Sequence, residues 1–502
     1  MRPTREVPMT AAVIDFREFP KQFLISSEGA DAPRTAHGHA EALGGWRVQA
    51  AGAVPLVPIE AHDGARAGLL VGWGILGGRM FGQGDVLRLA PGGTVETEAL
   101  PVLAGRAVVL WRTAGGMRLE TDAGGFLPAV WSAGAGLAAS TSTLIDLAAP
   151  HAVDAEAAGI FEFPRRRGFL PFGLTHHQGV RRLLPGHRLD LDRMTAGRVW
   201  PDPALLAAPP LTGEAAQAAL TGAADRVTAQ VGAVAAAAHP PRLYLSGGHD
   251  SRMVLAALRA ALGTRIGEAV CETLVNAAPL DLHLARKAAG AAGARHLAVQ
   301  VIPSSREEVA AWLRRAGWSF YDPVSELAAT ARAEDRRAPV MDGSGAEIFR
   351  ASNWTTEDLE APRLTRAALL ARTRLPDAGV VAREAEAWLA ALPPCPASAA
   401  LDVAKIELIH GCWAGASIYG HDIETPSISP VASRAVYEAA LRLPPAWKVG
   451  SESYRRWMMH LWPEGLAVPA NRARGLDRLR FLKSELKRMV PAGLKRRLKP
   501  YR

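Results

Sequence analysis

The residues with the clearest chemistry form the stretch Tyr-Leu-Ser-Gly-Gly-His-Asp-Ser-Arg at positions 244–252. A short apolar run ends at its start and a helical pattern over 251–262 follows, so the stretch is predicted to join a strand to a helix N-terminus. Such a terminus leaves backbone N–H groups unpaired and carries a positive partial charge. The adjacent Gly247 and Gly248 let a ligand approach the backbone closely, and two serines add hydroxyl groups. This combination predicts a loop that binds phosphate.

Asp250 is the unusual member of this loop. A carboxylate repels a phosphate unless a cation lies between them, so Asp250 predicts a bound Mg²⁺ ion. The stretch lacks the Gly-Lys-Ser/Thr ending of a Walker A motif. It resembles instead the Ser-Gly-Gly-x-Asp-Ser loop of the PP-loop ATP pyrophosphatases, which cleave ATP to AMP and pyrophosphate. The resemblance implies ATP as a cosubstrate, bound here by Leu245, Ser246, Gly247, Gly248, Asp250, Ser251 and Arg252.

Three weaker segments narrow this resemblance. Positions 183–190, read with Trp200, look like the end of the glutaminase-type domain of asparagine synthetases, and positions 119–128 resemble a turn of the same domain. Positions 281–293 resemble the acidic residue and the helix that follow the second strand of the synthetase domain. Over roughly residues 45–470 the chain is similar to the asparagine synthetase superfamily, which includes asparagine synthetase, β-lactam synthetase and the lasso-peptide cyclases.

A second loop, Asp-Gly-Ser-Gly-Ala-Glu-Ile-Phe-Arg, occupies positions 342–350. Members of the superfamily commonly carry Gly-Asp-Gly-Gly-Asp-Glu here, and this chain has Ala346 where an aspartate is usual. The resemblance implies that Gly345 contacts ATP and that Glu347 joins Asp250 in binding Mg²⁺. Because ligands of open parallel sheets lie beyond the carboxyl ends of the strands, the two loops are expected to face one site.

Candidates for the catalytic groups come from the last third of the chain. Positions 421–430 partly resemble a superfamily segment in which Glu424 would stand near the attacking amine, and Glu407 competes for the same role as base. Lys448 is the candidate that neutralises the leaving pyrophosphate. Three arginines are further candidates for contacting pyrophosphate or product: Arg350, Arg455 and Arg456.

The N-terminal half lacks the group that releases ammonia from glutamine. Glutamine-dependent members of the superfamily begin Met-Cys, and the cysteine is both nucleophile and, through its own amine, base. Here position 2 is Arg2, and the first cysteine is Cys271. The resemblance therefore implies a degenerate glutaminase-type domain, as in β-lactam synthetase and the lasso-peptide cyclases. The nitrogen would come from free ammonia or from an amine on the substrate.

The order of the predicted elements divides the chain into two halves. Short strand patterns separated by Gly-rich turns indicate an antiparallel sheet, at 68–73, 107–112, 117–121, 126–132 and 136–140. Alternating strands and helices later in the chain indicate a parallel sheet covered by helices. Its strands are predicted at 242–245, 266–273, 296–302 and 338–341, and its helices at 251–262, 281–292 and from the capping box at 305 onward, with mostly helical sequence after 364.

A proline-rich segment at 201–212 separates these halves, because four prolines cannot continue a helix or a central strand. The predicted fold class is α/β. An antiparallel β domain of the Ntn-hydrolase type, as the resemblance implies, covers 1–200. A parallel-sheet PP-loop domain of the HUP type, with a helical C-terminal part, covers 213–470, and a basic tail covers 471–502.

Composition sets the remaining limits. The 502 residues carry a net charge of +9, much of it in the C-terminal tail, which is interpreted either as a solvated helix or as a docking face for a peptide, protein, nucleic acid or lipid headgroup. Three widely spaced cysteines make no disulfide framework, and Cys412 is interpreted as a buried small side chain. No apolar run is long enough to span a membrane or to form a signal peptide, so we expect a cytoplasmic protein.

The sequence favours an ATP-dependent ligase or cyclase that activates a carboxylate as its acyl-AMP and joins it to an amine, without hydrolysing glutamine. Its partners would be a carboxylate substrate and an amine-bearing nucleophile, either a small molecule or a peptide. Three alternatives stay open. They are ammonia-dependent asparagine synthesis, a non-catalytic nucleotide-binding scaffold, and a tRNA-modifying enzyme with a PP-loop.

Overall fold

A computed structural model of the protein describes residues 13–29, 32–275, 279–300, 304–322, 339–421 and 426–472, together with 478 and 481. These residues form a mixed α/β structure with antiparallel sheets in the first half and a parallel sheet in the second. Glu424 and most of the predicted basic tail lie outside the described residues. No helix in the described ranges combines the length and the apolar character needed to cross a bilayer.

Two large sheets make up the first half. Its strands are β1 Ile14–Asp15, β2 Phe23–Ser27, β3 Thr35–Ala36, β4 Gly38–Leu43, β5 Trp46–Ala51, β6 Leu56–Glu60, β7 Arg66–Leu76, β8 Arg79–Met80, β9 Leu87–Arg88, β10 Ala104–Thr113, β11 Gly116–Thr121, β12 Val130–Ser132, β13 Leu137–Ala139, β14 Gly168–Phe169, β15 Val180–Arg182, β16 His187–Asp190 and β17 Thr195–Arg198. One sheet has the order β17-β16-β11-β10-β7-β6-β9, with β8 beside β7, and the other has the order β15-β12-β13-β2-β5-β4. Neighbouring strands of these two sheets are antiparallel except for the β6–β9 pair, and β1 and β3 form a separate parallel pair.

The central strand β10 shows why the first sheet forms. Its alternate residues Val108 and Leu110 belong to the main core, while Val109 and Trp111 belong to a smaller core on the other face. Successive side chains of a strand point to opposite faces, so an unbroken apolar run is what a sheet buried on both faces requires. The antiparallel sheet predicted from 68–73, 107–112 and 117–121 is confirmed.

The strand predicted at 126–132 is wrong over its first four residues. Only Val130–Ser132 is a strand, because the buried carboxylate of Asp122 holds the preceding chain in a turn. That carboxylate accepts the N–H groups of four residues, which replaces the ladder hydrogen bonds of a strand. The donors are Ala107, Gly124, Phe126 and Leu127.

The second half contains a five-stranded parallel sheet. The remaining strands are β18 Arg242–Tyr244, β19 Val270–Val275, β20 Arg295–Gln300, β21 Phe320–Tyr321, β22 Val340–Met341 and β23 Ser427–Ile428. The sheet has the order β20-β19-β18-β22-β23, and every neighbouring pair in it is parallel, as predicted. The short strand β21 instead pairs with β14 of the first half.

Helices cover this sheet and make up much of the rest of the described residues. They are α1 Ser142–Ala148, α2 Ala155–Phe161, α3 Pro203–Ala207, α4 Gly213–Ala237, α5 Asp250–Leu262, α6 Pro279–Ala292, α7 Arg306–Arg315, α8 Glu357–Glu360, α9 Arg366–Thr373, α10 Gly379–Ala390, α11 Ala397–Ala404, α12 Gly415–His421, α13 Arg434–Arg442, α14 Pro445–Val449 and α15 Glu452–Leu461. The capping box predicted at Ser305 and Glu308 opens α7. Short 3₁₀ turns occupy Gly263–Glu268, Ala346–Phe349 and Pro463–Ala467, and a π-helix Val95–Ala99 covers one end of the first sheet.

Two element predictions need correction. The strand predicted at 266–273 begins only at Val270, because the chain leaving α5 first makes the 3₁₀ turn Gly263–Glu268. The proline-rich segment 201–212 contains the short helix α3, which Asp202 caps by accepting the N–H of Ala204. A proline fits the first turn of a helix because its missing N–H has no partner there anyway.

A second π-helix, Lys405–Ala414, joins α11 to α12 without a break. Its backbone packs directly on the Asp122 turn of the first half. A Cβ atom on Gly411 would lie 2.4 Å from the Cδ of Pro185, and one on Gly415 would lie 2.2 Å from the carbonyl oxygen of Gly125. The π-helix and the start of α12 are therefore packed against the first half of the protein.

Candidate functional site

The first loop, defined here as residues 245–249 between β18 and α5, is held in place by its own serines. The N–H of Ser246 donates to Ser251 Oγ at 3.0 Å, and the N–H of Gly248 donates to Ser246 Oγ at 3.2 Å. The N–H of Gly247 donates to Asp281 Oδ1 at 2.8 Å. Asp281 is the acidic residue of the segment 281–293 that the sequence singles out. Its hydrogen bond with Gly247 shows that it supports the first loop.

Two backbone donors remain at this turn. Among the described residues, no group accepts the N–H of His249 or of Asp250, the last loop residue and the first residue of α5. Unpaired N–H groups at a helix N-terminus are the ordinary binding site for a phosphate oxygen. Burial lowers the pKa of His249 to about 4, with the charges of Arg350 and Arg252 acting in the same direction, so its ring is neutral at pH 7. Tyr454 covers this ring, with the centroids 4.1 Å apart.

The second loop, residues 342–345, follows β22 and lies against the start of α5. Gly343 makes the contact, and a Cβ atom there would lie 2.6 Å from the backbone nitrogen of Ser251. Asp342 anchors the other end of the loop by accepting the N–H of Ser344 at 2.8 Å and the hydroxyl of Ser427. Burial raises the pKa of Asp342. The two loops therefore lie side by side beyond neighbouring parallel strands, as expected from the sequence.

This close contact gives a prediction. Gly343→Ala should lower the free energy of unfolding by about 1–3 kcal/mol, the usual cost of forcing an extra methyl into a close-packed position. The neighbouring atoms are backbone and cannot rotate away. Urea denaturation measures the effect. Gly134→Ala is the control, because a Cβ atom there meets nothing within 4 Å, and it should change stability by less than about 0.5 kcal/mol. Equal stability of the two variants would mean that Gly343 does not lie against the start of α5 as described.

Asp250 is bound by an arginine. The Nε of Arg350 donates to Asp250 Oδ1 at 2.7 Å, and Nη2 donates to Oδ2, so both carboxylate oxygens are engaged. Arg350 follows directly after the 3₁₀ turn that leaves the second loop. Burial raises the pKa of Asp250, while the bonds from Arg350 oppose the rise.

Three more charged or titratable groups complete what we call the charged cluster, which consists of Asp250, Glu347, Arg350, Lys405 and His410. The Nε2 of His410 lies 3.5 Å from Glu347 Oε2, which also accepts the N–H of Gly345 at 2.8 Å. Burial alone would raise the pKa of Glu347, but His410 and the charge of Lys405 outweigh it and hold that pKa below its ordinary value. Burial lowers the pKa of Lys405.

Two of the residues assigned to ATP hold the fold instead of facing a ligand. Leu245 is buried, and its N–H donates to the backbone oxygen of Glu272. Arg252 is 1% exposed, and its guanidinium donates to the backbone oxygens of Val468 and Pro469 at 2.8 and 2.7 Å. Arg252 thereby ties the chain after α15 to the start of α5. Ser246, Ser251 and the glycines form the loop itself.

The candidate base Glu407 lies in a different environment. Its carboxylate is 1% exposed and accepts two hydrogen bonds from Arg198 at 2.8 and 2.9 Å and one from Trp388 Nε1 at 2.6 Å. Burial would raise its pKa, but His187 and Arg198 lower it to about 2. A carboxylate with so low a pKa is a weak base at pH 7. The geometry gives Glu407 a structural role between the two halves, and Glu424 lies outside the described residues.

The candidate lysine Lys448 is also occupied. Its ammonium is 1% exposed and is paired with Asp402, which accepts a further hydrogen bond from Trp354 Nε1 at 3.0 Å. Lys405 takes the place beside the loops that the sequence assigned to Lys448. Its ammonium has one hydrogen-bond acceptor among the described residues, Asn353 Oδ1 at 3.3 Å.

Lys405 and His410 were missed from the sequence for a physical reason. Residues five positions apart stand about 140° apart around an α-helix, so the two appear to face different directions. In the π-helix Lys405–Ala414 both act on Glu347. The available signal was that a lysine and a histidine share a mostly apolar helical stretch with Glu407.

The charged cluster does not fit a magnesium ion held by Asp250 and Glu347. Mg²⁺ requires oxygen ligands in near-octahedral geometry, and both oxygens of Asp250 are already bound by Arg350. The buried Ala346 offers no ligand at the position where an aspartate was expected. Within the described ranges there is no group of three or more His, Cys, Asp or Glu side chains that could hold a metal ion.

The two buried cysteines offer no alternative nucleophile. Cys412 is fully buried in the π-helix, as predicted, and burial raises the pKa of its thiol. Cys271 is buried in β19, and burial raises its thiol pKa to about 12. Both thiols are therefore protonated at neutral pH and unreactive.

Comparison with protein-family models finds no match to this chain, and comparison with curated proteins finds no match either.

Proposed function

We propose that this chain is an ATP-dependent ligase that activates a carboxylate as its acyl-AMP and joins it to an amine. One observation carries the proposal. The first loop presents the free N–H groups of His249 and Asp250 at the start of α5, and two cationic side chains, Arg350 and Lys405, belong to the cluster beside them. A nucleoside triphosphate needs such hydrogen-bond donors and positive charges to hold its phosphates.

The proposed reaction has two steps. A carboxylate oxygen of the substrate attacks the α-phosphorus of ATP, and pyrophosphate leaves with the electron pair of the broken P–O bond. The amine then attacks the acyl carbon, AMP leaves, and the amine proton passes to a base. Because the carboxylate of Glu407 is paired with Arg198, we assign the role of the base to Glu424. The protein contributes by positioning the reactants and neutralising phosphate charge, without a protein nucleophile.

A second candidate function is a nucleotide-binding scaffold without catalysis. The specific observation in its favour is that Lys448 and Asp250, both assigned to chemistry, are bound by protein partners. Ammonia-dependent asparagine synthesis is a narrower form of the ligase proposal, and it differs only in taking aspartate and free ammonia as substrates.

The test is ATP–pyrophosphate exchange, with aspartate and with pools of carboxylates and peptides as acyl donors. Wild type should show exchange that depends on one donor. Asp250→Ala should lower the rate about 100-fold, because it frees Arg350, and misplacing a phosphate-binding group by about 1 Å costs that much. Asp225→Ala is the control, since Asp225 is an exposed residue paired with His460 on the surface.

The outcomes separate the candidates. Exchange with aspartate alone would identify the asparagine reaction, and exchange with another carboxylate or peptide would identify the ligase reaction with its donor. Binding of ATP without exchange in any pool would favour the scaffold. If Asp250→Ala left the exchange rate unchanged, the first loop would not be the ATP-binding site.

A further inference from the structure

We propose that Arg350 is the resident cation of this site, and that it binds the phosphates of the nucleotide in the place where a protein-held Mg²⁺ ion would otherwise be needed. The inference rests on the proposed binding of ATP at the first loop. It concerns how the phosphates are neutralised, and it applies equally to a ligase and to a scaffold.

The hydrogen bonds of Arg350 leave part of its guanidinium available. Nε and Nη2 are bonded to Asp250, while Nη1 has no acceptor among the described residues. Arginine has five N–H donors in a rigid fork and binds carboxylate and phosphate groups with two bonds at once. The side chain is 34% exposed and that of Asp250 is 20% exposed, so a ligand can reach the pair. Asp250 orients the guanidinium, and Nη1 can meet a phosphate oxygen.

The backbone around Arg350 holds it firmly. The preceding Ile348 and Phe349 are buried, and the ring of Phe349 packs against Trp457 with centroids 5.1 Å apart. The N–H of Arg350 donates to the backbone oxygen of Glu347 at 3.1 Å. A side chain that starts from a packed turn loses little freedom when it binds a ligand, which favours affinity.

The charges of the cluster balance without an added ion. Two carboxylates, Asp250 and Glu347, stand beside two cations, Arg350 and Lys405. A phosphate that enters this cluster meets a carboxylate whose charge is already compensated. A metal ion would have to share the Asp250 carboxylate with the cationic Arg350, and the buried Ala346 could not supply a further ligand.

The experiment is calorimetric titration of the full chain with ATP, once with excess EDTA and once with Mg²⁺. Wild type should bind ATP with affinities that agree within about threefold. In Arg350→Ala, Asp250 loses its cation and repels the phosphates, so affinity in EDTA should fall at least about tenfold, and Mg²⁺ should restore most of it. Arg350→Lys keeps the charge but loses the forked pair of donors, so its ATP affinity in EDTA should lie between those of wild type and Arg350→Ala.

Arg181→Ala is the matched control. Arg181 forms the same two-bond pair with Glu384, at side-chain exposures of 37% and 25%, away from the loops, and its loss should leave ATP affinity unchanged. Strong dependence of wild-type binding on Mg²⁺ would overturn the role of Arg350 while leaving the proposed function intact. No binding of ATP in either buffer would instead overturn the proposed function. Arg350→Ala that binds like wild type in EDTA would also overturn the inference.

Discussion

We expect Glu407→Gln to lower the free energy of unfolding by about 3–5 kcal/mol, the usual cost of removing one partner from a buried ion pair. Glutamine keeps the size of the side chain and one acceptor for Trp388. It removes the charge, however, and leaves the guanidinium of Arg198, which is 8% exposed, without a counter-ion. Because Arg198 belongs to the first half and Glu407 to the π-helix of the second, the loss should weaken the contact between halves. Urea denaturation followed by tryptophan fluorescence measures it.

The same variant has a predictable pH dependence. The pKa of Glu407 is about 2 in the folded protein and 4.5 ordinarily, so its ionised form stabilises the fold fully above pH 4.5. That contribution is lost as the pH falls through 2. The stability difference between wild type and Glu407→Gln should therefore be largest above pH 4.5 and should shrink in more acidic solution.

The control for burial is Glu384→Gln. Glu384 also accepts two hydrogen bonds from an arginine of the first half, Arg181, but its side chain is 25% exposed. A pair so open to water contributes at most about 1 kcal/mol. If Glu407→Gln abolished adenylation or amide formation while unfolding like wild type, Glu407 would be the base that the sequence suggested and the structural role would be wrong.

The parts of this fold that follow from local patterns were predictable. The first loop needs only a strand end, two glycines and a helix start, and these are adjacent in sequence, so its position between β18 and α5 agrees with the prediction. The parallel sheet follows from alternating strand and helix patterns in the same way. The position of the two loops at one edge of the sheet followed from the general position of ligands at the carboxyl ends of parallel strands.

What the sequence could not supply are partnerships between distant residues. Nothing in the sequence around Lys448 shows that Asp402 will bind it, or that Arg198 will bind Glu407. The fork of Arg350 on Asp250 likewise joins residues 100 positions apart. A charged residue assigned to chemistry by its type alone can therefore serve the fold instead.

Lys405 and Glu407 leave the π-helix Lys405–Ala414 on different sides. They are two positions apart, which places their side chains on nearly opposite sides of an α-helix and of a π-helix alike. Lys405 faces the charged cluster, and Glu407 accordingly faces Arg198 at the junction of the halves. One local helix geometry thus determines which residue can contact a phosphate and which one holds the halves together.

We expect Lys448→Met to lower mainly the stability of the fold, and Lys405→Met to lower mainly the affinity for ATP. Lys448→Met should lower the free energy of unfolding by about 3–5 kcal/mol, because it leaves Asp402 buried without its counter-ion. Lys405→Met should cost less than about 2 kcal/mol, because methionine suits a buried position and the lost hydrogen bond is to the amide oxygen of Asn353. No carboxylate within the described part of the chain lies within ion-pair distance of the Lys405 ammonium. The affinity for ATP should fall at least about tenfold in Lys405→Met, which equals about 1.4 kcal/mol.

Urea denaturation and calorimetric titration with ATP, both at pH 7, measure the two effects on each variant. The double variant Lys448→Met with Asp402→Leu serves as control, since removing both partners of a buried pair restores most of the stability that removing one destroys. If folded Lys448→Met, assayed at low temperature, failed to bind ATP while Lys405→Met bound it normally, Lys448 would be the phosphate-binding lysine. The charged cluster would then have to be redrawn around Asp402, because a lysine that leaves its buried carboxylate to meet a phosphate must carry the cost of breaking that pair.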